Sequence, residues 1–301
     1  MRAVSYSEYG GPEVLQVVDL PDPEVGDGTV RVRVRAAGLN PFDFKVRRGG
    51  YLPSHTLPSL QGAEFAGVVD AVGDGVTGWA AGDEVLGWVG RGAQAELVVV
   101  PAKNLARKPA SLDWAAAAGI GLVGNTAKRS TQSLGLGDAD TVFVSGASGS
   151  VGLLSAQFAL RTGAKVVGTA GPAHHDFLSG LGIVPVAYGD GMLDRLREAA
   201  PQGFTAMLDT IGGESIEAGL ALGIPPERIN TIADSASAQT YGLNTVGGGG
   251  KTAAELEELA ADLADGRLVL PVRAAFPLDQ VADAFRELES RHGSGKVVLL
   301  L

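Results

Sequence analysis

Residues Asp140–Gly152 read DTVFVSGASGSVG. An apolar run, Val142, Phe143 and Val144, enters a turn with glycines at Gly146, Gly149 and Gly152. Apolar residues then recur at helical spacing through Val151, Leu153, Leu154, Ala156, Phe158, Ala159 and Leu160. Strand, glycine turn and helix in this order let a pyrophosphate approach the backbone, where unpaired N–H groups and the positive end of the helix dipole hold it. An ordinary tight turn of an α/β sheet shows the same triplet. The flanking strand and helix, and the strands beyond them, favour the dinucleotide cradle.

Outward from this turn the chain falls into three parts. Strands are expected at Thr141–Ser145, Lys165–Thr169, Val184–Tyr188, Ala206–Asp209, Arg228–Ala233 and Tyr241–Val246, with helices between them. Such alternation predicts a doubly wound parallel sheet. Before it, from Met1 to about Pro109, the period is mostly two, clearest where Val30, Val32 and Val34 alternate with Arg31, Arg33 and Arg35. Further short strands fit Val14–Asp19, Glu64–Val72, Asp83–Gly87 and Ala95–Val100, so this part reads as an irregular β domain. The tail is mixed, with strand Val272–Phe276, helix Leu278–Ser290 and strand Lys296–Leu301. The simplest assembly is a domain of residues 1–112 and 270–301 interrupted by a nucleotide domain of residues 113–269. The Gly247–Gly250 run reads as a loop before a helix at Thr252.

A chain of 301 residues suits two domains, and a net charge of −10 argues against a nucleic-acid partner, since phosphate backbones are bound through clustered cations. The densest basic cluster is only Lys45, Arg47 and Arg48. Without cysteine, disulfides and thiolate metal sites are excluded. No segment reaches the length of a membrane span, and Met1 leads into a polar strand, so cytoplasmic residence is expected.

Several motifs in fixed order resemble the zinc-free quinone oxidoreductases, related to zeta-crystallin, of the medium-chain dehydrogenase/reductase superfamily. They are MRAVSYSEYGGPEVLQVVDLP, AAGLNPFDFKVRRGGY, LQGAEFAGVV, GDEVLG, GASGSVG and HGSGKVVLLL, and they span essentially the whole chain. The resemblance implies an α/β protein with a GroES-like irregular β domain and a Rossmann domain. Zinc alcohol dehydrogenases of the superfamily carry cysteine where this chain has Asn40, and histidine where it has Ala63 before Glu64. A catalytic zinc needs three protein donors, so no metal is expected; His55 and Glu64 alone do not make a site. Hydride then comes from NADPH, and the acceptor is a quinone or an activated enone or ketone.

Negative charge develops on the acceptor oxygen, and a neutral donor aimed there stabilises the transition state. By resemblance the donors are Tyr51 and Asn40. Tyr51 reads alternatively as a pocket wall, Asn40 as a residue bonding its own loop before Pro41. Asp43 with Lys45 reads as a structural or solvated pair, Glu64 as a supporting residue and His55 as a surface histidine. For the cofactor, the end of the second strand, Thr169–His175, holds no carboxylate before Asp176. NAD enzymes of this fold use one there, so NADPH is preferred. By resemblance Gly171, His174 or His175, and Tyr188 fall in the 2′-phosphate region, although the family's usual Ser and Lys or Arg are missing there; the histidines and Tyr188 read alternatively as surface residues. Cofactor contacts are further implied at Asn125 and Thr126, with Lys128 in the same segment. The glycine turn supplies Gly146, Ser148, Gly149, Ser150, Val151 and Gly152. Thr210, Ile211, Ile232, Ala233 and Lys296 complete the set, with Thr210 reading alternatively as a helix cap.

Relatives usually have a bulkier, aromatic-rich stretch where this chain reads SASAQTYGLNTVGGGG before Lys251. A wider active-site wall would suit a biosynthetic tailoring reductase acting on a larger polyketide-type substrate. A third possibility is a non-catalytic NADPH-binding structural or sensing protein. The resemblance implies a homodimer, joined through strand Tyr241–Val246.

Overall fold

The computed structural model describes residues 1–49, 56–290 and 293–301. Tyr51 and His55 lie outside the described residues. The chain forms two compact units, Met1–Leu122 with Lys251–Leu301, and Val123–Gly250. Their division falls inside the helix Trp114–Gln132 and just after the glycine run.

In the first unit the alternation at Thr29–Gly38 turns Val30, Val32 and Val34 into the core, while Arg31 and Arg33 share Asp70 of the neighbouring strand at 2.6 and 2.9 Å. This strand pairs antiparallel with Glu64–Val72, Leu97–Pro101 and Lys296–Leu300, so the end of the chain closes the sheet begun near its start. The seven-stranded sheet includes Glu84–Trp88, Leu105–Arg107 and Val272–Pro277, and a three-stranded sheet of Arg2–Tyr6, Gln16–Asp19 and Ser59–Leu60 accompanies it. The helix Pro41–Arg47 starts with proline at its first position, where no N–H is missed, and Asp43 accepts from the Asn40 N–H at 2.8 Å. At its other end Arg47 is fully buried, paired with Glu289 at 2.6 Å and stacked 4.6 Å from the Phe285 ring centroid. Buried guanidinium persists because both its charge and its flat face have partners.

The second unit contains a five-stranded parallel sheet in the order Val184–Val186, Lys165–Thr169, Thr141–Val144, Ala206–Asp209, Ile229–Thr231. Phe143, Val167, Met207 and Ile229 form its core with Leu196 and Ile216 from the helices. The order reverses beside the central strand, which is the doubly wound pattern.

The expected sixth strand, Tyr241–Val246, does not form. Asp234 accepts from the Ser237 N–H at 2.9 Å and starts a helix, Ser235–Tyr241, which Gly242 ends at φ +71°. Local capping outweighs the weak alternation there. Beyond it only the bridge Asn230–Asn244 joins the sheet, and Leu243 packs into the core. The glycine run does precede a helix: Thr252 caps Ala253–Ala264 reciprocally with Glu255. No helix among the described residues is long and apolar enough to cross a membrane.

Candidate active site

The C-terminal edge of the parallel sheet gathers most of the residues singled out for a cofactor. Gly146 turns the chain at φ +64°, where a Cβ would lie 2.8 Å from both Ile211 Cδ1 and Thr210 Oγ1. A Cβ on Gly152 would lie 2.2 Å from the Gly146 carbonyl oxygen, so loop and helix touch backbone to backbone. Gly149 is the N-cap of helix Ser150–Arg161 and provides no side-chain cap. The first N–H groups of that helix, from Ser150, Val151 and Gly152, therefore have no intrahelical acceptor. Ser148, Gly149, Ser150 and Val151 are half-buried around this opening.

Behind the loop, Asp209 organises the sheet edge. Its carboxylate accepts from Ser145 Oγ and Thr231 Oγ1, both at 2.6 Å, and from the N–H of Gly212 at 3.0 Å. Thr210 donates its hydroxyl to the Ser145 carbonyl at 2.7 Å rather than capping the following helix, whose N-cap is Gly213. Ile232 N–H bonds the Asp209 carbonyl and Ala233 N–H the Thr231 hydroxyl, which fixes the backbone after the last strand. Ile211 is left exposed. Gly247 and Gly248 pass close to Ile232 and Thr126, with hypothetical Cβ atoms 3.3 Å from Ile232 Cγ2 and 3.2 Å from Thr126 Oγ1.

Asn125 is 3 % exposed, and neither Oδ1 nor Nδ2 finds a partner. A buried carboxamide left with both ends open costs about 1–3 kcal/mol per group unless a ligand or water completes it. One strand over, a Cβ on Gly171 would lie 3.8 Å from the Tyr188 hydroxyl, and Tyr188 is well exposed. His174 is half-exposed at the end of the short turn Pro172–His174, whereas His175 faces the Ala170 carbonyl at 3.3 Å. Arg195, which sequence reasoning missed, reaches the carbonyls of Ala187, Tyr188 and Gly189 at 2.9, 3.3 and 3.3 Å. Nothing in its spacing marks it, because a helix carries it back to the strand end. Uncapped helix, glycine cradle, unpaired Asn125 amide and a nearby guanidinium without a competing carboxylate fit a phosphorylated dinucleotide.

Asn40 and Lys296 belong to the first unit. Lys296 is 1 % exposed, and its ammonium donates to the Leu39 carbonyl at 2.9 Å, Asn40 Oδ1 at 2.8 Å and Glu64 Oε1 at 2.8 Å. Asn40 Nδ2 donates to the same Glu64 oxygen at 2.8 Å, and the Leu122 N–H to the other at 2.7 Å. Glu64 thus supports Asn40. Lys296 has no donor to spare in this arrangement, whereas Glu64 keeps a lone pair on its second oxygen and Asn40 keeps one amide hydrogen. Asp43, beneath them, is buried with only the Asn40 N–H as its bond to the cluster; desolvation pushes its carboxyl up to about 7, with the Glu64 charge adding to the rise and that hydrogen bond opposing it. Among the described residues no three His, Cys, Asp or Glu side chains gather at one point. Zinc does not fit this cluster: one carboxylate and an amide oxygen surround an ammonium that already supplies the positive charge.

Residues 26–110 match the family described as alcohol dehydrogenase GroES-like domain, and residues 183–299 match that described as zinc-binding dehydrogenase. A quinone oxidoreductase of Pseudomonas aeruginosa is 31 % identical over 99 % of this chain and 99 % of its own. The chloroplastic NADPH-dependent alkenal/one oxidoreductase of Arabidopsis thaliana is 31 % identical over 99 % of this chain and 79 % of its own. Among solved structures, the Escherichia coli quinone oxidoreductase complexed with NADPH superposes with a TM-score of 0.84 at 26 % identity, each chain covered in full. With identity sustained from end to end, and with both domains and the glycine loop in their places, the chain belongs to the quinone oxidoreductase family of the medium-chain dehydrogenases/reductases.

Proposed function

We propose that this oxidoreductase uses NADPH to reduce quinones and activated enones or ketones without zinc, as a cytoplasmic homodimer. We assign the GroES-like catalytic domain to residues 1–112 with 270–301 and the Rossmann dinucleotide-binding domain to residues 113–269. The observation that carries the reading is the buried, unpaired Asn125 amide in the same unit as an uncapped glycine cradle. The N–H groups of Ser150, Val151 and Gly152 hold the phosphates, with Ser148 and Gly149 shaping the approach and Gly146, Thr210 and Ile211 forming its far wall. Asn125 offers one donor and one acceptor to a carboxamide, and Thr126, Ile232 and Ala233 bound the same edge. Gly171, His174 and Tyr188 admit the 2′-phosphate, with Arg195 as the nearby cation. When bound, the cofactor supplies hydride. Asn40 turns its remaining amide hydrogen to the acceptor oxygen, held in place by Glu64 and Lys296, and Tyr51 is the second donor. Lys296 serves the cofactor only through that cluster.

The test is a thermal-shift titration with NADPH and NADH, followed by an acceptor screen in the presence of a chelator. At a hundredfold excess over Kd a native-state ligand adds about 2.7 kcal/mol. NADPH is expected to raise the melting temperature well above NADH, and quinones or enones to oxidise it with the chelator present. Turnover that disappears with the chelator and returns with zinc would overturn the metal-free reading. Binding without turnover on any acceptor would favour the non-catalytic alternative.

The close, side-chain-free passage of Gly247 and Gly248 along Thr126 and Ile232 also favours a roomier wall and a larger substrate. Rapid turnover of small quinones, with none gained from bulkier enones, would remove that second reading.

A further inference from the structure

Lys251 occupies a position that costs it stability. It directly precedes Thr252, the N-cap of the helix Ala253–Ala264, where the helix dipole presents its positive end. The side chain is half-buried, and among the described residues no carboxylate, carbonyl or hydroxyl accepts from its ammonium. Its Nζ stands over the Trp88 ring, 6.0 Å from the centroid, at the outer limit of a cation–π contact. Trp88 stands directly opposite Glu64 in the antiparallel pairing of Glu64–Val72 with Glu84–Trp88, so Lys251 lies over the sheet face that carries the Asn40 cluster. Glu64 makes no hydrogen bond to it; the bonds of that carboxylate go to Asn40, Lys296 and the Leu122 N–H. Glu64 and Lys296 cancel as charges, which leaves Lys251 as an added cation beside them. Desolvation pulls its ammonium below the usual lysine range, with Glu64 and Asp43 pulling weakly the other way. Elsewhere a chain of net charge −10 repels anions.

We propose that Lys251 is a specificity-determining residue that binds a carboxylate on the acceptor, so that the preferred substrates are enones or quinones bearing one negative charge near the reacting carbonyl. This rests on the reductase reading above and narrows its substrate class. The missing acceptor of the ammonium is then the substrate itself, and a charge-assisted hydrogen bond replaces the water lost on burial.

A matched pair of acceptors tests it: 4-oxopent-2-enoate and its methyl ester, which share the enone and differ in charge. The wild-type protein is expected to prefer the acid in kcat/KM by about tenfold or more, and Lys251→Met to lower the acid-to-ester ratio by about tenfold to a hundredfold, with Lys251→Arg retaining most of it. Calorimetric titration with the unreactive 4-oxopentanoate is the second readout, binding the wild-type protein and Lys251→Arg but not Lys251→Met. A ratio that Lys251→Met leaves unmoved, including parallel loss of both substrates, overturns the proposal. So does a wild-type protein that binds 4-oxopentanoate no better than its methyl ester. Should neither enone oxidise NADPH, the reductase reading fails, while the 4-oxopentanoate titration still decides the role of Lys251.

Discussion

Removing one charge of a buried pair leaves the other without solvent or counter-ion, a loss of about 3–5 kcal/mol. Lys296→Met is therefore expected to depress the melting temperature sharply, and the double variant with Glu64→Gln to recover much of it, both measured by calorimetry at neutral pH. Asp43 gives a second check. Its carboxyl titrates higher folded than unfolded, so the stability tied to its protonated form is complete below about pH 4 and is lost as pH rises through about 7. Between about pH 6 and 8 the wild-type protein is expected to lose several degrees of thermal stability, and Asp43→Asn, which still accepts from the Asn40 N–H, to lose much less. Asn40 and Glu64 were legible in the sequence, through the motifs around them. Their tie to Lys296 was not, because 232 residues separate the two charges and no local pattern reports a contact of that range.

The glycine loop tolerates no added carbon at its tightest point. Gly152→Ala would press a methyl to 2.2 Å from the Gly146 carbonyl oxygen, and backbone rather than a flexible side chain must yield. The expected outcome is loss of the NADPH-induced thermal shift together with a lower melting temperature in the free protein. Loop, flanking strand and helix were readable because each is specified by neighbours in sequence. The segment after Ala233 was misread for the opposite reason: Asp234 and Gly242 are ordinary helix-start and helix-stop signals, and the alternation in YGLNTV drew attention away from them. A consequence follows for Leu243. Leu243→Asp places a carboxylate in the core of the parallel sheet's unit, so unfolding rather than a change of oligomeric state is expected, as read by circular dichroism alongside sizing.

At the scale of the molecule, alternating strands and helices announced the doubly wound unit, and period-two runs the β-rich one. Composition excluded thiolate chemistry outright. The polar cluster of the first unit was only half legible, since it is assembled from residues near positions 40, 64 and 296 that adjoin only after folding. The homodimer proposal now lacks the strand first offered as its seam, and sedimentation equilibrium of the intact protein is the measurement that checks it; a dimer is expected.

Synthesis on the ribosome gives that same discontinuity a temporal meaning. Glu64 is synthesised 232 residues ahead of Lys296, an interval of roughly 10 to 50 s at usual elongation rates. Until the final strand arrives, the nascent amino-terminal segment lacks both an edge partner for Thr29–Gly38 and the cation that neutralises its interior carboxylate. Pulsed proteolysis of stalled chains ending before residue 290 should accordingly cleave within the first hundred residues, and release of a chain that includes Lys296–Leu300 should protect them.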